Sequence, residues 1–326
     1  MLILGNQMNE FVVSLFGPGL ARTGIETGSG LALLGVLGFA LGFALNHGSI
    51  CTVIATTELV SEKRPARFLA LFEAAAWGAL VYAILATAPT MQQGWSPLAY
   101  LVPSALLFGI GAYVNGACVF GSVGHFGNGE LDFGFAFLGM AAVFYVESLL
   151  DLFPDRLPSS SSLQLGPVAL AIGLLVIVAL RLGTSLRTES NFRQLTLAMA
   201  AVGTTFTLLA VLAPGFSITA TVGNIVSIPV GGAVIALCLF AGSFVAARTR
   251  TQRITLQWPT LHDVLRRTLG GVLMGLGAIL IPGGNDTLLL IGLPMGAWQA
   301  ALAYLLLVAP LAVLIAKFGS AARAWS

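Results

Sequence analysis

Long apolar stretches recur along the chain from residue 30 to residue 318, and four of them end in a short, glycine-rich polar break. The breaks are His47-Gly48-Ser49-Ile50-Cys51, Gly116-Ala117-Cys118-Val119-Phe120-Gly121, Pro214-Gly215-Phe216-Ser217 and Pro282-Gly283-Gly284-Asn285-Asp286-Thr287. A helix needs about 20 apolar residues to cross the hydrocarbon core, and a lipid-exposed segment must satisfy its own backbone groups. Repeated stretches of that length therefore mean a helical bundle, and the absence of period-two alternation excludes a β-barrel. Composition agrees, with 57% hydrophobic and 9% charged residues and a mean hydropathy of +0.94, where a soluble domain carries about a quarter charged residues. The chain reads as an all-α integral membrane protein.

Nine spans are expected, at about 30–46, 68–88, 98–115, 131–152, 166–182, 195–213, 226–247, 269–281 and 295–318. Residues 1–29 suggest an interfacial helix and a glycine-rich lead-in. The opening Met1 to Asn6 lacks a basic n-region, so no cleaved signal peptide is expected. Each break is followed by a segment too short to cross: 52–60, 119–128, 219–224 and 288–293. The order span, break, short helix, span occurs twice before the fifth span and twice after it. The chain is thus read as a single transmembrane domain, 1–326, with halves at about 30–152 and 195–318 linked by the lone span at about 166–182. Phe39 to Asn46 and Phe108 to Asn115 each place Gly and Asn four residues apart before a cysteine, and 39 glycines suit close helix contact.

If each break is re-entrant, returning to the side it came from, the nine spans alone change sides. All of the 15 Lys and Arg except Arg22 and Arg156 then fall on one side, which the positive-inside rule makes cytoplasmic. The N-terminus is expected outside and the C-terminus inside. The first two breaks then enter from the cytoplasm and the last two from the outside, giving an inverted repeat whose four breaks converge near the midplane.

Irregular backbone at membrane depth is tolerated where it is buried or lines an aqueous path, so four breaks imply a site. Short helices starting at the breaks aim free N–H groups and positive dipole ends inward, which favours an anion. No Lys or Arg lies within any break. The candidate pathway residues are Cys51, Cys118, Asn46, Asn115, Gly48, Gly116, Gly121, Gly283, Gly284, Asn285 and Asp286. A buried cysteine is often mere packing, but two at matching places in two breaks point to a role. A thiol is a soft, weak donor suited to holding and releasing a polarisable sulfur atom. Cys238, mid-span, reads as packing. The three cysteines are odd in number and scattered, which suggests free thiols.

Asn46, Asn115 and Asn285 are helix-cap residues as readily as ligands. Asp286, the one acid at a break, is expected to cap the short helix that follows it. Glu73 and Glu147 lie near span ends, where snorkelling or pairing explains them. His47 and His125 are expected to serve as polar lining. No metal spacing or cofactor motif is present, and the net charge of +2 gives no reason to invoke nucleic acid. Gly283 to Asp286 loosely resembles intramembrane aspartyl proteases, but the second span-core aspartate is missing, and Cys-x-x-Cys is absent too. Transport is the expected function, not catalysis.

Gly42 to Cys51, Gly109 to Gly121 and Gly275 to Gly296 resemble the YeeE/YedE family of bacterial inner-membrane transporters, over about 35–318. The resemblance implies uptake of thiosulfate or a related sulfur anion through loops dented from both faces and lined by cysteines. It also implies work with a small cytoplasmic sulfur-carrier protein. Cys51 and Cys118 match the family's first-half thiols. At the fourth break Gly284 or Asn285 stands at the place of the second-half thiol, and Ile54 stands where the second break has Gly121. A non-selective anion channel and a membrane scaffold for a sulfur-handling enzyme, docking through the basic loop 248–267, are the other functions this pattern allows.

Overall fold

The computed structural model describes residues 28–85, 94–150, 172–173, 176–183, 192–223, 230–250 and 256–319. Among them the helices are α1 (Gly28–His47), α2 (Thr52–Ser61), α3 (Ala66–Ile84), α4 (Leu98–Asn115), α5 (Val119–Gly127) and α6 (Gly134–Leu150) in the first half. The second half holds α7 (Phe192–Leu212), α8 (Ile218–Gly223), α9 (Val230–Arg250), α10 (Leu261–Leu280), α11 (Gly284–Thr287) and α12 (Trp298–Phe318). A π-helical turn, Leu288–Gly292, prolongs α11, and a 3-10 turn, Leu131–Phe133, leads into α6.

Seven described stretches are long and apolar enough to cross a membrane, and the bent pair α10 and α11 makes an eighth. The fifth of the nine expected spans lies outside the described residues apart from 172–173 and 176–183, which are helical. The interfacial helix expected over 1–29 also lies outside them, except for its last two residues.

The breaks have a simple cause in length. Gly28–Ser61 and Leu98–Gly127 are apolar stretches of 34 and 30 residues, and 30 residues of straight helix would reach about 45 Å, against a hydrocarbon core of about 30 Å. Each is interrupted, so that a second short helix starts afresh. At the fourth break α10 and α11 meet at 42°, far from the reversal of a hairpin. The expected re-entrant hairpin is there an interrupted helix that continues in the same sense.

Helix directions follow from which residues touch. A Cβ on Gly42 would fall on the Leu239 carbonyl, and one on Gly242 would fall on that of Phe39, so α1 and α9 run parallel with their backbones in contact. Gly203 packs between Ala74 and Gly78, making α3 and α7 parallel. Gly111 faces Met274 while Gly270 faces Asn115 and Gly277 faces Ser104, so α4 and α10 are antiparallel. Gly271 against Ala136 and Gly275 against Met140 set α6 parallel to α10, and Gly109 against Leu307 sets α4 alongside α12. Every one of these directions is the one that alternating crossings require. Lipid gives no hydrophobic drive between helices, so such close packing carries their association.

The packing also repeats when the halves are exchanged. α1 packs on α9 as α7 packs on α3, and α6 packs on α10 as α12 packs on α4. The short helices obey the same exchange, because α2 lies against α12 as α8 lies against α6.

Two of the basic residues placed above on the cytoplasmic side are buried. Arg267 donates from Nε to Asp132 Oδ2 at 2.9 Å and lies 3.7 Å over the Phe133 ring. Arg181, in the helical stretch 176–183, pairs with Glu73 of α3, and both are fully buried. Glu73 therefore pairs and does not snorkel.

Candidate functional site

The first break turns at Ser49, whose φ is 49°, and the second at Gly116, whose φ of 80° closes α4 in the left-handed conformation. Gly is favoured at such a helix end because it has no Cβ to clash. Cys51 and Cys118 then lie in extended backbone immediately before α2 and α5. Both are fully buried, and Cys118 Sγ lies 3.7 Å from Cys51 Sγ, donating to it. Cys118 Sγ also accepts the N–H of Thr52, the first residue of α2, at 3.2 Å. Gly121 has a packing reason to lack a side chain, since a Cβ there would sit on Cys51 Sγ and 3.0 Å from its Cβ. Thr52 Oγ1 is 3.4 Å from the buried Tyr304 hydroxyl of α12.

The residues around the thiols have mostly structural ties. Asn46 does not cap its own helix; its Nδ2 donates to Gly124 O and Asn128 Oδ1 at 2.9 Å and to Ser243 Oγ at 3.1 Å, joining α1, α5 and α9. Asn115 holds the second break itself, donating to Ala117 O at 2.7 Å and Ser122 Oγ at 2.9 Å. Gly48 is buried against Ala198 of α7. His125 Nδ1 is 2.7 Å from Glu130 Oε1, and its ring stacks on Phe133 with centroids 4.4 Å apart. His47 stacks on Phe43. Cys238 is half-buried beside Gly35, consistent with packing.

Basic side chains do reach the first break, from outside it. Arg67 donates to Ser49 O at 2.7 Å and to Glu58 at 2.8 Å, and Arg250 donates to Ser49 Oγ at 3.1 Å. Sequence reasoning missed them because they come from the ends of α3 and α9. Their only signal was position: basic residues in the first or last turn of a span can fold back on a neighbouring break.

In the second half the breaks meet through a carboxylate. Asp286 Oδ2 accepts from Ile218 N at 2.6 Å, Ser217 Oγ at 3.0 Å and Thr219 N at 3.3 Å, while Oδ1 accepts from Thr219 Oγ1 at 2.6 Å. Asp286 thus caps α8, the short helix of the third break, and not its own helix as expected. The carboxylate is the better cap there because α8 presents free N–H groups pointing at it. Ser217 adds a local cap, accepting from Ala220 N at 3.1 Å. Gly283 and Gly284 have φ of 75° and 83°, and a Cβ on Gly284 would lie 2.8 Å from Thr219 Oγ1 and 3.1 Å from Phe108. Asn285 is fully buried, and neither its amide oxygen nor its nitrogen has a hydrogen-bond partner among the described residues. Asn224, expected in the third short segment, lies outside the described residues.

The two pairs of breaks join at one helix. α5 packs against α2, α8 and α11, so the four short helices meet about it. One side of that meeting point carries two thiols, and the other carries hydroxyls, an unsatisfied amide and an engaged carboxylate.

Against known families, the profile described as Sulphur transport matches the chain twice, over residues 47–166 and 155–313. No curated protein matches it. The matched segments contain all four breaks and both buried cysteines. The chain is a multi-pass membrane protein of the transporter type, and it belongs to the Sulphur transport, or YeeE/YedE, family.

Proposed function

We propose that the protein takes up a small sulfur-containing anion, thiosulfate-like, across the bacterial inner membrane with its N-terminus outside and C-terminus inside. The observation that carries this reading is the buried Cys51–Cys118 pair, 3.7 Å apart, at the starts of α2 and α5, the second being the helix about which the short helices meet. A sulfur acceptor holds the Thr52 N–H weakly, so an incoming anion is able to take over that N–H and the thiol protons together. Asn285, buried and unpartnered, offers an N–H₂ donor for the oxyanion end. The cargo this pairing suits is soft at one end and hard at the other. The N–H groups at the starts of α2 and α5 supply partial positive charge for it in passage. A small cytoplasmic sulfur-carrier protein is the acceptor that the reading calls for inside.

Proteoliposome uptake of thiosulfate, sulfate, sulfite, selenite and chloride tests the reading directly. Thiosulfate entering well ahead of sulfate and chloride supports it; equal entry of all five makes the protein a non-selective channel. Cys118→Ala is expected to abolish growth of a transport-deficient host on the sulfur source, and unchanged growth removes the thiol from the mechanism.

A further inference from the structure

Cys51 and Cys118 are placed to react with each other as well as with a cargo. Their sulfurs are 3.7 Å apart, and a disulfide needs about 2.05 Å, so closure asks each sulfur to move by about 0.8 Å. Both cysteines sit in extended backbone before a short helix, outside the regular helical ladder. Such a pair has the arrangement of an attacking and a resolving thiol.

The geometry points to a reversible disulfide site, Cys51–Cys118, oxidised by anions of the polythionate class, which carry an S–S bond with a good leaving group. One thiol, losing its proton, attacks an inner sulfur of tetrathionate and expels one thiosulfate, leaving a cysteine S-thiosulfate, Cys–S–S–SO3⁻. The second thiol, also losing its proton, attacks the cysteine sulfur of that intermediate and expels a second thiosulfate. Two thiols are oxidised by two electrons, one tetrathionate is reduced to two thiosulfates, and two protons are released. The product staples the start of α2 to the start of α5 and removes both S–H donors, so it blocks the passage. Entry of the polythionate to this buried pair and the blocking rest on the transport reading above; the closeness of the two thiols, which diamide also probes, does not.

The test uses the full-length protein in proteoliposomes, treated with tetrathionate and, separately, with diamide. Free thiols are then alkylated and counted by mass spectrometry. The chain has three cysteines, and Cys238 on α9 serves as the internal control. Expected are loss of two alkylatable thiols, a cross-linked peptide pair containing Cys51 and Cys118, and recovery of both thiols with dithiothreitol. Cys51→Ser or Cys118→Ser removes the cross-link. Thiosulfate uptake falls at least tenfold on oxidation and recovers on reduction. Three alkylatable thiols persisting after both oxidants overturns the site. A cross-link with uptake unchanged overturns the blocking. A protein that takes up nothing even when reduced refutes the transport reading, and the thiol count then decides the disulfide by itself.

Discussion

Asp286→Ala removes the acceptor that joins the third and fourth breaks, and its cost is calculable from what is stranded. Two hydroxyls and two backbone N–H groups point at the carboxylate. The hydroxyls adapt by rotation; Ser217 already has Gly283 O at 3.1 Å as a second acceptor. The N–H groups of Ile218 and Thr219 are fixed at the start of α8. A buried donor left without an acceptor costs about 1–3 kcal/mol, so two cost about 2–6 kcal/mol, with about 4 kcal/mol as the central value. At about 2 °C per kcal/mol for a chain of this size, the melting temperature in detergent should fall by about 8 °C. Asp286→Asn keeps one oxygen but turns an N–H₂ toward donors, and should lose about half as much. Cys118→Ala strands the single Thr52 N–H, which had only sulfur as partner, and should cost about 1 kcal/mol. Thermal unfolding of the four proteins side by side gives the ranking. An Asp286→Ala protein melting within about 1 °C of the parent would refute the capping argument.

Gly121→Ala forces the Cys51 side chain aside, because the new methyl would overlap its sulfur and crowd Ala117 Cβ at 3.1 Å; a loss of about 1–3 kcal/mol in unfolding and a fall in thiosulfate uptake are expected. Asn285→Ala removes an amide that has no partner, so stability should hold or rise by up to about 1 kcal/mol, while uptake drops at least tenfold; a stability loss with uptake intact would make Asn285 structural. Arg267→Met leaves Asp132 buried without its cation and without the stacking on Phe133, and should destabilise by about 3–5 kcal/mol, read as reduced folded yield and a lower melting temperature.

The spans and breaks were legible because lipid imposes a length on every apolar stretch, and Gly116, Gly283 and Gly284 mark the helix interruptions by their own chemistry. Repetition of Gly and Asn before Cys51 and Cys118 also pointed to the same two places that the fold brings together. What sequence could not supply is the identity of the neighbour across a helix. Asn46 looks like a cap, yet its partners Gly124, Asn128 and Ser243 lie on α5, the turn after it and α9, up to 197 residues away. Asp286 precedes a short helix and was expected to cap it, but the donors aimed at it come from residues 217 to 219. Local propensity says that a helix start wants an acceptor; only the packing of α8 on α11 says whose.

The exchange of halves that carries α2 onto α8 gives Cys118 and Asp286 the same task, since each accepts the first N–H of the opposite short helix. Their replaceability differs. A carboxylate with four donors around it leaves no isosteric substitute that keeps every bond, so the second-half junction has almost no freedom to vary. The sulfur holds one N–H by a weak bond, and nitrogen, oxygen or another soft atom at that place would leave the helices where they are. The Asp286 carboxylate is therefore the fixed frame of the second half, while the atom at the Cys118 position is free to change without moving the helices.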